Sequence, residues 1–263
     1  MIPLSDENTT LHTPWMTWLI IGITVAVWMV LQGAGQPDAV AASVCNLGIV
    51  PGELTGRAPL GLALPMGNGM ACVVDQEPIN WFTPVTSMFL HGGWGHLLGN
   101  MLFFWVFGNN IEDSMGPGRF LVFYLLCGLA AAGAHVLVSP ASPVPTVGAS
   151  GAISGVMGAY LLLYPRVRVN MLFIFIVFFR VFAIPAWVVL LWWFFVQLLA
   201  GVPQLSSVRP DVSSGVAVWA HIGGFLTGLV LIKLFENPQM VARRDAIRRA
   251  EHPHRGDLGL PRL

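Results

Sequence analysis

The chain has 263 residues, 55% of them hydrophobic and 10% charged, and its thirteen basic and thirteen acidic side chains cancel to zero net charge. Soluble domains carry roughly a quarter charged residues, so composition excludes a soluble globular enzyme. The apolar residues fall in long blocks, the mark of a polytopic membrane protein of the all-α class.

The first fourteen residues hold no Lys or Arg and read as a cytoplasmic N-terminal segment, 1–14. A hydrocarbon core of about 30 Å needs roughly 20 apolar residues per helix. Six blocks come near that length, at 15–32, 95–109, 120–138, 150–164, 186–200 and 216–235, giving a membrane domain over 15–235. The first block is followed by Ala39-Val40-Ala41, which has the small-x-small form of a signal-peptide cleavage site. Its 18 apolar residues and the lack of a basic stretch before it favour a retained span. Between the first two spans lies a long loop, 33–94, rich in Gly, Pro and Ala. It holds Cys45 and Cys72, which either pair or remain thiols, whereas Cys127 falls in the third span. The apolar stretch 171–179 is too short to span before Arg180 and reads as interfacial. After the last span the basic tail, 236–263, reads as a short helix or flexible segment that anchors topology rather than binding nucleic acid.

Seven of the thirteen Lys and Arg lie from Lys233 onward, which places that tail in the cytoplasm by the positive-inside rule. Threading six spans backwards puts Arg119, Arg166, Arg168 and Arg180 inside too, leaving Arg57 and Arg209 outside. Both termini are then cytoplasmic, and the second, fourth and sixth spans all enter from the outside.

Polar side chains at membrane depth are costly and point to function. They are His91, His96 and Asn100 in "HGGWGHLLGNM", Ser150 in "GASGAISG" and His221 in "AHIGGFLTG". His96 and Asn100 are four apart and share a helix face, and these groups cluster at the outer ends of the second, fourth and sixth spans. From Ser150 to Pro165 is about 22 Å of helix at about 1.5 Å per residue, so the serine sits below the outer face. The irregular segment before it must then line a wet pocket, the setting in which such backbone is tolerated. A serine hydroxyl needs a base, and the histidines are the only candidates at that depth. Gly151 with Gly155, and Gly224 with Gly228, are small-xxx-small pairs that let the fourth and sixth helices approach until hydroxyl and imidazole touch. No Asp or Glu lies nearby, which favours a Ser-His dyad. His96, Asn100 and the Ser150 backbone N–H could stabilise an oxyanion.

The three motifs, in that order on the second, fourth and sixth helices, resemble the signatures of the rhomboid intramembrane serine proteases. The resemblance implies a six-helix membrane bundle with Ser150 as nucleophile, His221 as general base, and His96 and Asn100 at the oxyanion hole. His91 and Glu112 fall on positions of structural support, as do Gly148, Gly151, Gly155, Gly224 and Gly228. It implies no cofactor or metal, membrane-protein substrates within the lipid bilayer, and residence in a bacterial inner membrane; oligomeric state is not readable. Two departures bear on substrate gating: Ser154 stands where some members place an aromatic beside the histidine, and Trp81-Phe82 stands near the place of a Trp-Arg pair. The rival readings are an inactive client-binding relative, a zinc protease using His91, His96 and His221, and a transporter.

Overall fold

A computed structural model describes residues 2–67, 69–175, 178–206 and 217–251. In chain order these form strand β1 (Ile2–Asp6), helices α1 (Trp15–Val30), α2 (Pro37–Leu47) and α3 (Pro51–Thr55), and the hairpin β2 (Ala63–Gly67) with β3 (Met70–Val73). Helices α4 (Thr83–Thr86), α5 (Trp94–Met115), α6 (Pro117–Val138) and α7 (Ser150–Leu163) follow. A second hairpin, β4 (Arg168–Phe175) and β5 (Phe178–Pro185), leads to α8 (Ala186–Ser206), α9 (Val218–Phe235) and α10 (Pro238–Glu251).

The molecule is mostly helical, and α7 is its axis. Every residue from Gly151 to Tyr160 is buried, as expected of a helix apolar on all faces with neighbours on all sides. Glycines set the spacing to α9. A Cβ at Gly224 would fall on the carbonyl oxygen of Gly151, one at Gly228 on that of Gly155, and one at Gly158 on that of Phe225. Gly151 itself faces α6, where an added Cβ would lie 2.7 Å from the Ala131 Cβ. The small residues expected to join two helices therefore pack three.

Among the described residues, α6 and α9 are long and apolar enough to cross a membrane by length and composition, while α1, α7 and the 186–202 part of α8 are apolar but shorter. Helix α5 runs 22 residues, past the expected end at 109, because its last polar turn has partners. Glu112 accepts from the backbone N–H groups of Met16 and Thr17 and from the Thr17 hydroxyl, at 2.7–2.9 Å, so a carboxylate meets the open N–H groups and positive dipole end of α1. Asp113 accepts from the backbone of Leu11 and His12.

The purely helical expectation is corrected by two small sheets. The described residues of the apolar stretch 171–179 fall in β4 and at the start of β5, which pair antiparallel, and β1 adds to β4 with Ile2 opposite Leu172 and Asp6 opposite Val169. Alternation of side chains explains the preference: Val169 and Met171 point into the core, whereas Ile174 and Val181 are exposed. The N-terminal segment thus carries the outer strand of a three-stranded sheet. The basic tail begins as α10, whose Arg244 is buried rather than solvated. In the long loop Cys45 and Cys72 are joined by a disulfide that ties α2 to β3.

Candidate active site

Three separate features bring Ser150 into an open position. It is the first residue of α7. The chain enters through Gly148 at φ 130°, a conformation L side chains rarely adopt. A Cβ on Gly148 would also lie 2.7 Å from His96 Nε2, so the turn and the imidazole can share this space only because the residue is glycine. The approach segment is held by the Gly148 N–H donating to the Ser87 carbonyl at 2.8 Å, and by paired backbone bonds between Ile49 and Thr146. The disulfide-bearing loop thus braces the strand of chain that delivers the serine.

His221 lies in the first turn of α9, and its Nε2 is 2.7 Å from Ser150 Oγ. Its other ring nitrogen, Nδ1, is 3.0 Å from Gln197 Oε1 on α8. The Trp193 ring, one turn earlier on α8, lies 5.7 Å from the imidazole, centroid to centroid. The two rings are inclined at 42°, so the indole lies beside the imidazole rather than stacked on it. Ser154 donates to the Ser150 carbonyl oxygen at 2.6 Å, within its own helix.

His96 and Asn100 line the same cavity of about 690 Å³ as Ser150 and His221. The Gly92 N–H donates to His96 Nδ1 at 3.4 Å, which leaves Nε2 as the protonated nitrogen facing the Gly148 turn. Asn100 is buried, and its side-chain N–H₂ has no protein partner. An unused donor on a residue that lines the cavity beside a serine suits a developing negative charge. His91 is fully buried behind this layer, its ring 5.0 Å from that of His96. Gln32 clamps its backbone, accepting from the His91 N–H and donating to the His91 carbonyl, both at 2.9 Å. Among the described residues no three His, Cys, Asp or Glu side chains gather as metal ligands, and both His221 ring nitrogens are already engaged by Ser150 and Gln197.

The structure therefore brings Ser150, His221, His96 and Asn100 to one cavity. His91 and Glu112 lie outside it: Glu112 holds the backbone at the start of α1, whereas both His91 ring nitrogens are buried without a partner. Gln197, Trp193 and Gln32 are additions that the sequence reading missed. Gln197 had a signal, being the one hydrophilic side chain in the run from Ala186 to Val202.

This layout has counterparts among known proteins. Residues 78–237 match the family model described as Rhomboid domain. The chain is 42% identical over 81 residues to Rhomboid protease GluP of Bacillus subtilis (strain 168), a match taking in 31% of this chain and 15% of that protein. It is 39% identical over 75 residues to Rhomboid-like protein 11, chloroplastic, of Arabidopsis thaliana, covering 28% and 26% of the two chains. To Rhomboid protein 1, mitochondrial, of Saccharomyces cerevisiae it is 28% identical over 158 residues, covering 56% and 39%. In each case the chain spans less than half of the relative's length. With a family model covering well over half of the sequence, and the model's span containing all four cavity residues, the chain belongs to the rhomboid family, whose members are integral membrane proteins and generally intramembrane serine proteases.

Proposed function

We propose that this protein is an intramembrane serine endopeptidase that cuts transmembrane protein substrates near the outer membrane face. The observation that carries the reading is the 2.7 Å separation between Ser150 Oγ and His221 Nε2 inside a cavity roomy enough for an unwound stretch of chain. Neutral His221 takes the serine proton at Nε2 as Oγ attacks the scissile carbonyl. The resulting oxyanion lies within reach of the Ser150 N–H, the His96 Nε2–H and the Asn100 N–H₂. Collapse of the tetrahedral intermediate passes the Nε2 proton to the leaving amine, and water, deprotonated by the same nitrogen, then releases the acyl chain. Because Ser150 is recessed, substrate helices must unwind to reach it, which favours clients with Gly, Ala, Ser or Pro near their outer end. The same reading has six helices crossing a bacterial inner membrane with both termini in the cytoplasm, an arrangement that sets Cys45 and Cys72 on the oxidising side.

The test is purified protein incubated with a model single-span substrate, beside Ser150→Ala and with EDTA added to a third sample. Cleavage that survives EDTA and vanishes in Ser150→Ala supports the reading. Metal-dependent cleavage would replace it with a zinc mechanism. Client binding with no cleavage, and no labelling of Ser150 by a small fluorophosphonate, would make this an inactive client-binding relative.

A further inference from the structure

His221 is held from two directions by one helix. Trp193 and Gln197, four apart on α8 and so on one face of it, approach the imidazole as a tilted neighbouring ring and at its Nδ1 respectively. Among the described residues the neighbour of Nδ1 is a neutral amide rather than a carboxylate, set in an otherwise apolar stretch of helix. An imidazole that is to accept the serine proton at Nε2 must carry its own proton at Nδ1. A hydrogen-bond acceptor behind Nδ1 selects that tautomer, and a buried ring without one is free to choose the other. The helix that carries the acceptor is docked beside the site by rings: Phe194 stacks on Phe225 at 4.6 Å and Trp193 lies 6.0 Å from the same ring. Phe225 sits one turn beyond His221 on α9, so the amide and the imidazole are registered to each other through a single aromatic packing unit.

We propose that Gln197 is a positioning residue for His221, its Oε1 accepting the Nδ1–H and thereby holding Nε2 unprotonated toward Ser150. The inference deepens the protease reading and rests on it. It gives the site a Ser-His-amide relay in which no proton leaves Nδ1: the serine proton moves to Nε2, the ring becomes a cation, and the Nδ1–H bond to Oε1 becomes charge-assisted. Hydrogen bonds from an ionised donor are shorter and stronger than neutral ones. The amide therefore contributes more after proton transfer than before it, and its removal lowers kcat rather than raising KM.

The variants are Gln197→Leu, which keeps a helix-forming side chain without the acceptor, and Gln197→Glu, which restores an oxygen at the same place. Nitrogen-15 NMR of histidine-labelled protein in detergent, with the His221 signals assigned by difference against His221→Asn, reads the tautomer whether or not the protein cleaves anything. Wild type and Gln197→Glu should show a single protonated Nδ1, and Gln197→Leu a mixture. In single-span substrate cleavage Gln197→Leu should lose about ten- to a hundredfold in kcat with KM unchanged, and Gln197→Glu should recover most of it. An unmixed Nδ1–H tautomer and a wild-type kcat in Gln197→Leu would overturn the assignment. Wild-type protein that cleaves nothing and resists fluorophosphonate would instead sink the protease reading, leaving the tautomer result to stand or fall separately.

Discussion

A serine hydroxyl is unreactive until something removes its proton, so the first expectation at the residue scale concerns the pair itself. Ser150→Ala and His221→Ala should each abolish cleavage of a single-span substrate while leaving a folded protein in detergent, because partners acting as a unit fail together. Ser154→Ala, by contrast, should retain nearly full activity, since its hydroxyl is occupied by the Ser150 carbonyl. A dead Ser154→Ala beside an active Ser150→Ala would show the wrong hydroxyl had been chosen. Asn100→Ala should lower kcat, by up to the ~10²- to 10³-fold typical of one lost oxyanion donor, with little change in KM. Steady-state kinetics separate this from a substrate-binding role, which would move KM alone. The legible residues were those whose polarity conflicts with an apolar setting and whose spacing forms a motif. Gln197 shared the conflict but had no motif around it. Trp193 had neither, being one of ten tryptophans in a chain where any of them could face lipid.

The reach of one backbone toward another governs the helices. With Gly155 and Phe225 carbonyl oxygens lying where the new Cβ atoms would go, Gly228→Val and Gly158→Val must both separate α7 from α9. Displacements of about 1 Å can cost on the order of a hundredfold in rate, so fluorophosphonate labelling of Ser150 should collapse in Gly228→Val although no catalytic group has changed. Sequence spacing alone assigns Gly158 a milder role, a turn deeper than the Gly155 contact; the observed clash with the Phe225 backbone makes the two variants comparable in stability loss, measured as thermal unfolding in detergent. Full labelling in Gly228→Val would reassign the glycines to substrate entry. Helix ends were harder to read than helix contacts. The turn "NNIEDSM" looks like a stop, yet it continues α5 because its carboxylates meet N–H groups nearly a hundred residues earlier in the chain. The β4–β5 hairpin was hidden for a related reason: exposed Phe and Val on β5 imitate the composition of a membrane helix, while the second partner of β4 is β1, far away at the N-terminal segment.

For the whole molecule the decisive feature is the knot of polar groups at the end of the bundle opposite Ser150. Buried Arg244 donates to the carbonyls of Asn8, Thr9 and Asn110, to the Asn110 side chain and to the Tyr164 hydroxyl, and lies 3.3 Å from an Asp113 oxygen. Asp6 accepts from Tyr160 and from Asn110 beside it. Burial pushes the Asp6 carboxyl up to about 6, against the smaller opposing pull of Tyr160 and Arg244. With the folded value above the unfolded one, this group favours the fold below about pH 4, and that contribution fades as pH rises through 6. Wild-type protein should therefore lose thermal stability relative to Asp6→Asn between pH 4 and pH 7, by on the order of 1–3 kcal/mol. A stability difference independent of pH would place the carboxyl in water. Arg244→Ala should cost more than a surface arginine, since it leaves the carbonyls of Asn8, Thr9 and Asn110 without their Arg244 donor and removes the cation beside buried Asp113.

The same knot bears on the order of events during synthesis. Ile2–Asp6 can pair only once Arg168–Phe175 exists, and the carbonyls of Asn8 and Thr9 gain the Arg244 bonds only when that residue has left the ribosome. The Asn8–Thr9 carbonyls must therefore wait for their donor through the making of α1 to α9, and α10 is the last element to fasten that segment. A ribosome stalled after Glu236 would carry a chain in which β1 already has its partner β4 but Asn8 and Thr9 still lack Arg244, so that segment should be cut by protease faster than after release of α10.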